Sequence, residues 1–582
     1  MNTIKIASAT PTIQVANCRH NAEQVLELMH RAEHAGASLL LLPKMCLTGA
    51  TCGSLLQQRT LINSAQQNLE TLVAASTNKN IITIIGLPII VKDEILQVSA
   101  VFGHGRIYGF LAEKNPQEKW PSVIWKGSVF PYGERLDGIV PGYSICTNFN
   151  IGQDTDEALI ILRPTAEPEI LGAAKKRRLE AKLYSKRSIY VQASAGWGES
   201  TTDAAYAGHN IIAHFGEIIH ESTPFGSGWA VAEMPVELPP ERGKSMYIPV
   251  YEMSDESLTP AKHPFVKMCP NPQEALDIQA AGLAQRLRHT GANTAVLGIS
   301  GGLDSTLALL VTAQAFDMLG KSRGEIQAIT MPCFGTTART KNNAHALCEA
   351  LGIPCREIDI RAAVTQHLLD IGHPEGVYDV VFENAQARMR TMVLMNVANQ
   401  QNGLVVGTGS LSELALGWAT YNGDHMSMYA VNAGVPKTLV RHLVEHMAQT
   451  PVLREVLASI LATKVSPELL PTVNDEITQI TEEVVGPYEL HDFFIYHGLH
   501  HKCPPSVVFT QARKAFDNYS PSEVMHWLEI FYRRFFSQQF KRNCLPDGPQ
   551  VVDISLSPRT GIKMPSDASA NAWLEELQGI RL

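Results

Sequence analysis

Residues 300–305 read Ser-Gly-Gly-Leu-Asp-Ser, and that run holds the parts of a phosphate site. Two glycines let a backbone turn sharply and come close to a ligand. Successive N–H groups around such a turn, followed by a helix N-terminus, converge on an anion. Ser300, Ser305 and Thr306 add hydroxyl donors, and Gly301 and Gly302 supply the turn. Asp304 is an acid inside the loop, where it repels phosphate unless a divalent cation lies between them, so the loop implies Mg²⁺. No Gly-Lys-Ser/Thr follows, which excludes the Walker pattern. The plainer reading is a glycine-rich turn with a serine cap, and six matched positions between a strand and a helix weigh against it.

The loop needs a strand before it and a helix behind it. Ala295–Ile299 is an apolar, strand-like run, and an apolar helical pattern begins at Thr306. EIQAITMP and LVVGTGS are further strands, separated by helical patterns, which predicts a doubly wound parallel sheet. Ligands bind such sheets at the carboxyl ends of the strands. Residues 1–235 form another section, with strand-like runs (TIKIASA, SLLLLP, IITIIGLPIIV, ALIILRP) between helical patterns. Residues 236–268 are rich in Pro and charge and read as a linker, which leaves 269–582 as a separate domain.

At 582 residues the chain is long enough for two or more domains. Its net charge of −9 gives no support to nucleic-acid binding. Ten cysteines stand singly, without a CxxC pair, which fits a reducing cytoplasm and argues against structural zinc or a disulfide framework. No run of about 18 apolar residues predicts a membrane span. The first residues lack the basic and apolar regions of a signal peptide.

SGGLDS resembles the PP-loop of the ATP pyrophosphatases, which split ATP into AMP and pyrophosphate. From residue 269 on, the chain resembles the synthetase domain of NAD⁺ synthetases, especially the two-domain bacterial ones. The match runs through ITMPCFGTTART, ENAQARMRT, GTGSLSELALGW, YNGDH, GVPKT, GPYELHDFF, FKRNC and SLSPR in one order. The resemblance implies adenylation of the nicotinate carboxylate of deamido-NAD by ATP, followed by displacement of AMP by ammonia. It implies Asp304 and Glu413 as the acids associated with Mg²⁺, and Lys437 as a cation on the ATP phosphates. Ser300, Gly301, Gly302, Ser305, Thr408 and Ser466 are the further implied ATP contacts. Asn384, Arg388, Asp424, Lys541 and Arg542 are implied for deamido-NAD. Glu413 alone also reads as a solvated acid in a first helical turn, and Lys437 alone as a surface lysine. Ala338, Met389 and Ser410 depart from the family's pattern without removing a phosphate or metal group.

Residues 1–235 resemble the nitrilase-type glutaminase domain fused to such synthetases, which implies an α-β-β-α sandwich. The likeness rests on LLLLPKMCLTG, YSICTNF and GWGESTTDAAYAGHN. That family works with Glu as base, Cys as nucleophile and Lys as oxyanion stabiliser. Here Lys44 stands at the base position, Lys114 and Lys119 are the nearest counterparts of the family lysine, and Cys146 is the remaining thiol. A lysine does not replace a carboxylate base, so Cys146 reads as a vestigial nucleophile or a small buried hydrophobe.

The expectation is therefore a cytoplasmic NAD⁺ synthetase with a degenerate amidase half. Ammonia rather than glutamine is the expected nitrogen donor, and a homo-oligomer built on a synthetase-domain dimer the expected assembly. The alternatives are a conventional glutamine-dependent enzyme, a tRNA-modifying ligase that shares the PP-loop, and a scaffolding or regulatory pseudoenzyme subunit. The acidic charge disfavours the second, and the intact loop with Glu413 and Lys437 disfavours the third.

Overall fold

The computed structural model describes residues 3–92, 94–112, 122–140, 143–147, 159–186, 188–235, 260–463, 466, 468–471 and 481–580. Lys114, Lys119 and residues 236–259 of the expected linker lie outside the described residues. Two compact units are present, Met1–Ser200 with Ala205–Met253, and Thr201–Ala204 with Ser254–Leu582.

The first unit is a sandwich of two sheets, with eight and six strands among the described residues. Side chains alternate along a strand, and the sequence uses that period. Leu39 and Leu41 point into the core shared by the two sheets, where they meet Ile145, Ile160 and Val191. Leu40 and Leu42 point the other way, onto Val25, Met29 and Leu69 of the helices Cys18–His34 and Arg59–Ala75. The same alternation turns Ile145 inward and Cys146 outward, under helix Ala173–Tyr184. Helix, sheet, sheet and helix thus give the nitrilase-like layering expected from the sequence.

The second unit holds a parallel sheet of β1 (Thr294–Gly298), β2 (Ile326–Thr330), β3 (Cys355–Glu357), β4 (Gly403–Gly407) and β5 (Tyr429–Ala430). Their order is β3-β2-β1-β4-β5. The crossovers run one way from β1 to β3, and β4 lies on the other side of β1. That reversal opens a crevice beyond the carboxyl ends of β1 and β4. Helix α1 (Pro272–Thr290) packs on α2 (Leu303–Met318). The latter is apolar on all sides and almost wholly buried, as its sequence demands. On the opposite face Phe382, Ala385, Val397 and Ala398 of a long helix, Val380–Gln400, pack on Val296, Ile329 and Val405. Layers on both faces explain why β1 and β4 read as continuous apolar runs.

Helix α2 begins at Leu303, three residues before the apolar pattern suggests. Asp304 and Ser305 therefore sit in its first turn, where the helix dipole favours an acid.

Candidate functional site

A cavity of about 640 Å³ lies at the crevice between β1 and β4. Ser300, Gly302, Leu303, Asp304 and Ser305 line one wall, whereas Gly301, expected among the ATP contacts, lies outside the lining and makes the turn behind it. Gly301 has φ +84, and a Cβ there would fall 2.8 Å from the Thr340 carbonyl carbon and overlap its oxygen. Only glycine fits. The loop's hydroxyls tie it together: Gly302 N–H donates to Ser300 Oγ at 3.2 Å, and Ser305 Oγ donates to the Gly302 carbonyl at 3.1 Å. Asn432 Nδ2 donates to the carbonyls of Asp304 and Thr408, both at 2.9 Å, and so pins this loop to the one after β4.

The floor carries three charges. Lys437 Nζ contacts Asp304 Oδ2 and lies 3.0 Å from Glu413 Oε1. Lys437 is the first residue of helix α3 (Lys437–Met447), is buried, and places Nζ over the Tyr488 ring at 5.1 Å. Burial, with the like charge of Glu413, pushes the Asp304 carboxyl up to about 6 even beside the lysine. Asp304 Oδ1 is buried and makes no hydrogen bond. Glu413 belongs to a capping box in the short helix Leu411–Leu416: its Oε2 accepts the Ser410 N–H at 3.0 Å while Oε1 takes the lysine. The first-turn acid and the site acid are one group. Its sequence signal is Ser410-x-x-Glu413.

On the opposite side, Asn384 and Arg388 project from the Val380–Gln400 helix. Asn384 Oδ1 accepts from Thr420 Oγ1 at 2.8 Å, and Asp424 Oδ1 accepts the Thr420 N–H at 2.7 Å. Arg388 is exposed, with Nε 3.3 Å from the Tyr421 carbonyl. Tyr421 stacks on His425 at 5.2 Å between centroids, which gives a flat aromatic surface at this end. Lys541 Nζ reaches in to the carbonyls of Gly417 and Ala419, at 2.7 and 2.6 Å.

Ser300, Gly302, Asp304, Ser305, Thr408, Glu413, Lys437, Ser466, Asn384, Arg388, Asp424 and Lys541 all border this one cavity. Arg542 does not. It is buried and donates to the carbonyls of Leu414 (3.2 Å), Ala415 (3.0 Å) and Phe535, so it caps backbone instead of facing a substrate. Consecutive residues on a helix point about 100° apart, and the basic pair is divided between cavity and core. The lining residues missed in the sequence include Tyr421, His425, Arg534, Arg390, whose Nε donates to the Met331 carbonyl at 3.3 Å, and Glu468. Arg390 had a signal, two positions past Arg388. Glu468 had none; it has φ +50, accepts from Thr340 Oγ1 at 3.2 Å, and is pushed up to about 7 by burial.

The family model for NAD synthase matches residues 276–510. A glutamine-dependent NAD(+) synthetase of Mycobacterium leprae is 35% identical, over 99% of this chain and 98% of its own. One from Mycobacterium tuberculosis is 34% identical over 99% and 97%. The chain belongs to the NAD⁺ synthetase family. It is of the two-domain bacterial type, an ATP-binding ligase that forms a C–N bond. The crystal structure of a glutamine-dependent NAD(+) synthetase from Cytophaga hutchinsonii has the same fold, with a TM-score of 0.81 over 99% of this chain and 100% of that one at 19% identity.

These relatives overturn the expectation of ammonia as the preferred donor. Those from Mycobacterium, Xanthomonas and Thermotoga alike are described as glutamine-dependent. The expectation rested on Lys44 at the base position, the missing lysine segment and the altered residues after Cys146, whereas the likeness extends over 99% of the chain.

In that unit Lys44 lines a separate cavity of about 310 Å³, with Arg163, Thr165, Glu167 and Tyr206. Cys146 is not among its lining residues. It is 8% exposed, packs on Ile161, Ala181 and Tyr190, and its thiol is pushed up to about 11 by burial. Glu199, of the GWGEST stretch, is buried and accepts the N–H groups of Ala50 (2.8 Å) and Thr51 (3.0 Å), which fixes the loop after Lys44. Among the described residues, no helix is long and apolar enough to cross a membrane.

Proposed function

We propose that this chain is a glutamine-dependent NAD⁺ synthetase, converting deamido-NAD to NAD⁺ with ATP. The observation that carries the reading is the Asp304–Lys437–Glu413 cluster beside a glycine-turned phosphate loop, in one cavity with Asn384, Arg388 and Asp424. The ATP phosphates take the loop N–H groups and Lys437. The dinucleotide takes the Arg388 end, with a ring on Tyr421. Catalysis is then positioning and charge screening: two anions, the nicotinate carboxylate and the α-phosphate, must meet. Their reaction expels pyrophosphate, and ammonia then displaces AMP from the acyl adenylate.

The donor set fits Mg²⁺. Asp304 Oδ1 is an orphaned oxygen, Glu413 is a second carboxylate, and one lysine leaves the trio with a net negative charge. Mg²⁺ favours oxygen ligands and commonly binds through one or two carboxylates plus substrate phosphates. Asp304 and Glu413 would hold it, and it would supply screening of the phosphate charge. With the acids so engaged, Lys437 is free to turn to the phosphates.

Glutamine hydrolysis in the first unit proceeds without a carboxylate at position 44. The exposed apolar residues Tyr378, Val380 and Val381, with Leu369, Ile371 and Met392 nearby in sequence, support pairing of two second units in a homo-oligomer. The deciding experiment is NAD⁺ formation from ATP and deamido-NAD, with glutamine or ammonium as sole donor. Turnover with glutamine supports the reading. Turnover with ammonium alone refutes the glutamine half of it, and none with either refutes the synthetase assignment.

A further inference from the structure

Asp492 is fully buried in the helix Tyr488–Phe494, outside the cavity lining. Its carboxylate takes three hydrogen bonds from two other helices. The Ser412 hydroxyl donates to Oδ1; the Thr438 N–H and hydroxyl donate to Oδ2 at 2.7 and 2.6 Å. Ser412 Oγ in turn accepts the Lys437 N–H at 2.8 Å. Each residue gripped in this way is the chain neighbour of a charged group in the cavity: Ser412 precedes Glu413, and Thr438 follows Lys437.

We infer that Asp492 is a positioning residue for adenylation, a buried clamp that fixes Glu413 and Lys437 against each other. The two groups come from separate helices, and neither helix alone sets the distance between them. The capping box orients Glu413 within its own helix, and α3 carries Lys437 at its start. The Asp492–Ser412–Lys437 bridge joins the two frames. A buried carboxylate with three good donors is well matched there, because removing it strands the fully buried Ser412 hydroxyl and the part-buried Thr438 N–H. An asparagine is nearly isosteric, but with its oxygen on Thr438 its NH₂ faces Ser412 Oγ, so the Ser412 hydroxyl loses its acceptor and the charge of the clamp is gone.

The inference rests on the synthetase reading, so wild-type pyrophosphate release dependent on both ATP and deamido-NAD is measured first. Its absence would defeat that reading, and the clamp with it. With wild type active, Asp492→Asn is assayed alongside its melting curve. Displacement of catalytic groups by about 1 Å costs on the order of a hundredfold. The expected result is a fall of that order in kcat per folded molecule, a higher Mg²⁺ concentration for half-activation, and little change in the KM for deamido-NAD. A purely structural role would lower the melting temperature and leave kcat per folded molecule and the Mg²⁺ midpoint at wild-type values; that result overturns the inference. Should Asp492→Asn not fold, Thr438→Val leaves the carboxylate and its Ser412 contact in place. It is then expected to shift the Mg²⁺ midpoint in the same direction, and an unchanged midpoint overturns the clamp.

Discussion

Gly301→Ala and Gly302→Ala differ by one position, yet the structure separates them. Gly301 has φ +84, and its new methyl would overlap the Thr340 carbonyl. Left-handed backbone costs a non-glycine residue roughly 1–2 kcal/mol, and overpacking adds about 1–3 kcal/mol. Relieving the overlap takes a shift of about 1 Å, since ordinary contacts lie near 3.5 Å. That shift falls on the loop that carries the phosphate-facing N–H groups. The expected result is a loss on the order of a hundredfold in pyrophosphate release, with weaker ATP binding by calorimetry and destabilisation of about 2–4 kcal/mol. At Gly302 the nearest atom to a Cβ is Ser300 Oγ at 3.3 Å, and φ is −93. That serine side chain is exposed, and its bonds to the Gly302 N–H and Ser305 Oγ, at 3.2 and 3.1 Å, need to give by only a few tenths of an ångström. Gly302→Ala is expected to stay within about fivefold of wild type, because a few tenths of an ångström at one side-chain oxygen is a small fraction of the 1 Å penalty. Equal losses in the two variants, or the greater loss at Gly302, would refute the reasoning.

Asp304→Asn is expected to abolish adenylation with the fold retained, a loss of several kcal/mol of transition-state stabilisation; pyrophosphate release near the wild-type rate would remove Asp304 from the metal assignment. Arg388→Ala should weaken deamido-NAD by about 2 kcal/mol, roughly thirtyfold, and ATP far less; equal weakening of both in calorimetry would place Arg388 elsewhere. The Glu468 carboxyl is raised from its ordinary range to about 7, so its contribution to stability is present at low pH and lost as pH rises through 7. Glu468→Gln should therefore match wild type near pH 5 and melt higher at pH 8, by about 2 kcal/mol allowing for partial exposure; a constant difference across that range would count against it. Cys146, with its thiol at about 11, should resist iodoacetamide at pH 8 while the protein is folded, and rapid labelling there would show that the buried packing is wrong.

The phosphate loop was legible because its signals are local: two glycines, an acid and two serines between apolar runs of different period. The sandwich came from the resemblance of the first section to nitrilase-type domains, because Leu39–Leu42 is apolar at every position and does not itself show that Leu39 and Leu40 face opposite cores. Arg542 was misplaced because the resemblance carried the FKRNC basic pair over as a unit, whereas a helix sets neighbours a quarter-turn or more apart. Glu468 and Asp492 escaped notice for a different reason. Their partners lie 128 positions away at Thr340 and 80 positions away at Ser412, and no local pattern carries such contacts. The preference between nitrogen donors was misjudged from Lys44, the missing lysine segment and the changed residues after Cys146, although donor use depends on the whole amidase site.

Glu413 spends one carboxylate oxygen on closing a six-residue helix and offers the other to the cavity. Such a short helix has little intrinsic stability and depends on its cap. Ligation at Oε1 therefore feeds into the local opening equilibrium of Leu411–Leu416, with no movement of the helix required. Amide exchange at Glu413 and Leu414 becomes a remote gauge of site occupancy, slowing as the cavity fills. By reciprocity, any substitution that frays this helix from its buried side, at Leu411 or Leu416, lowers ligand affinity without touching the ligand.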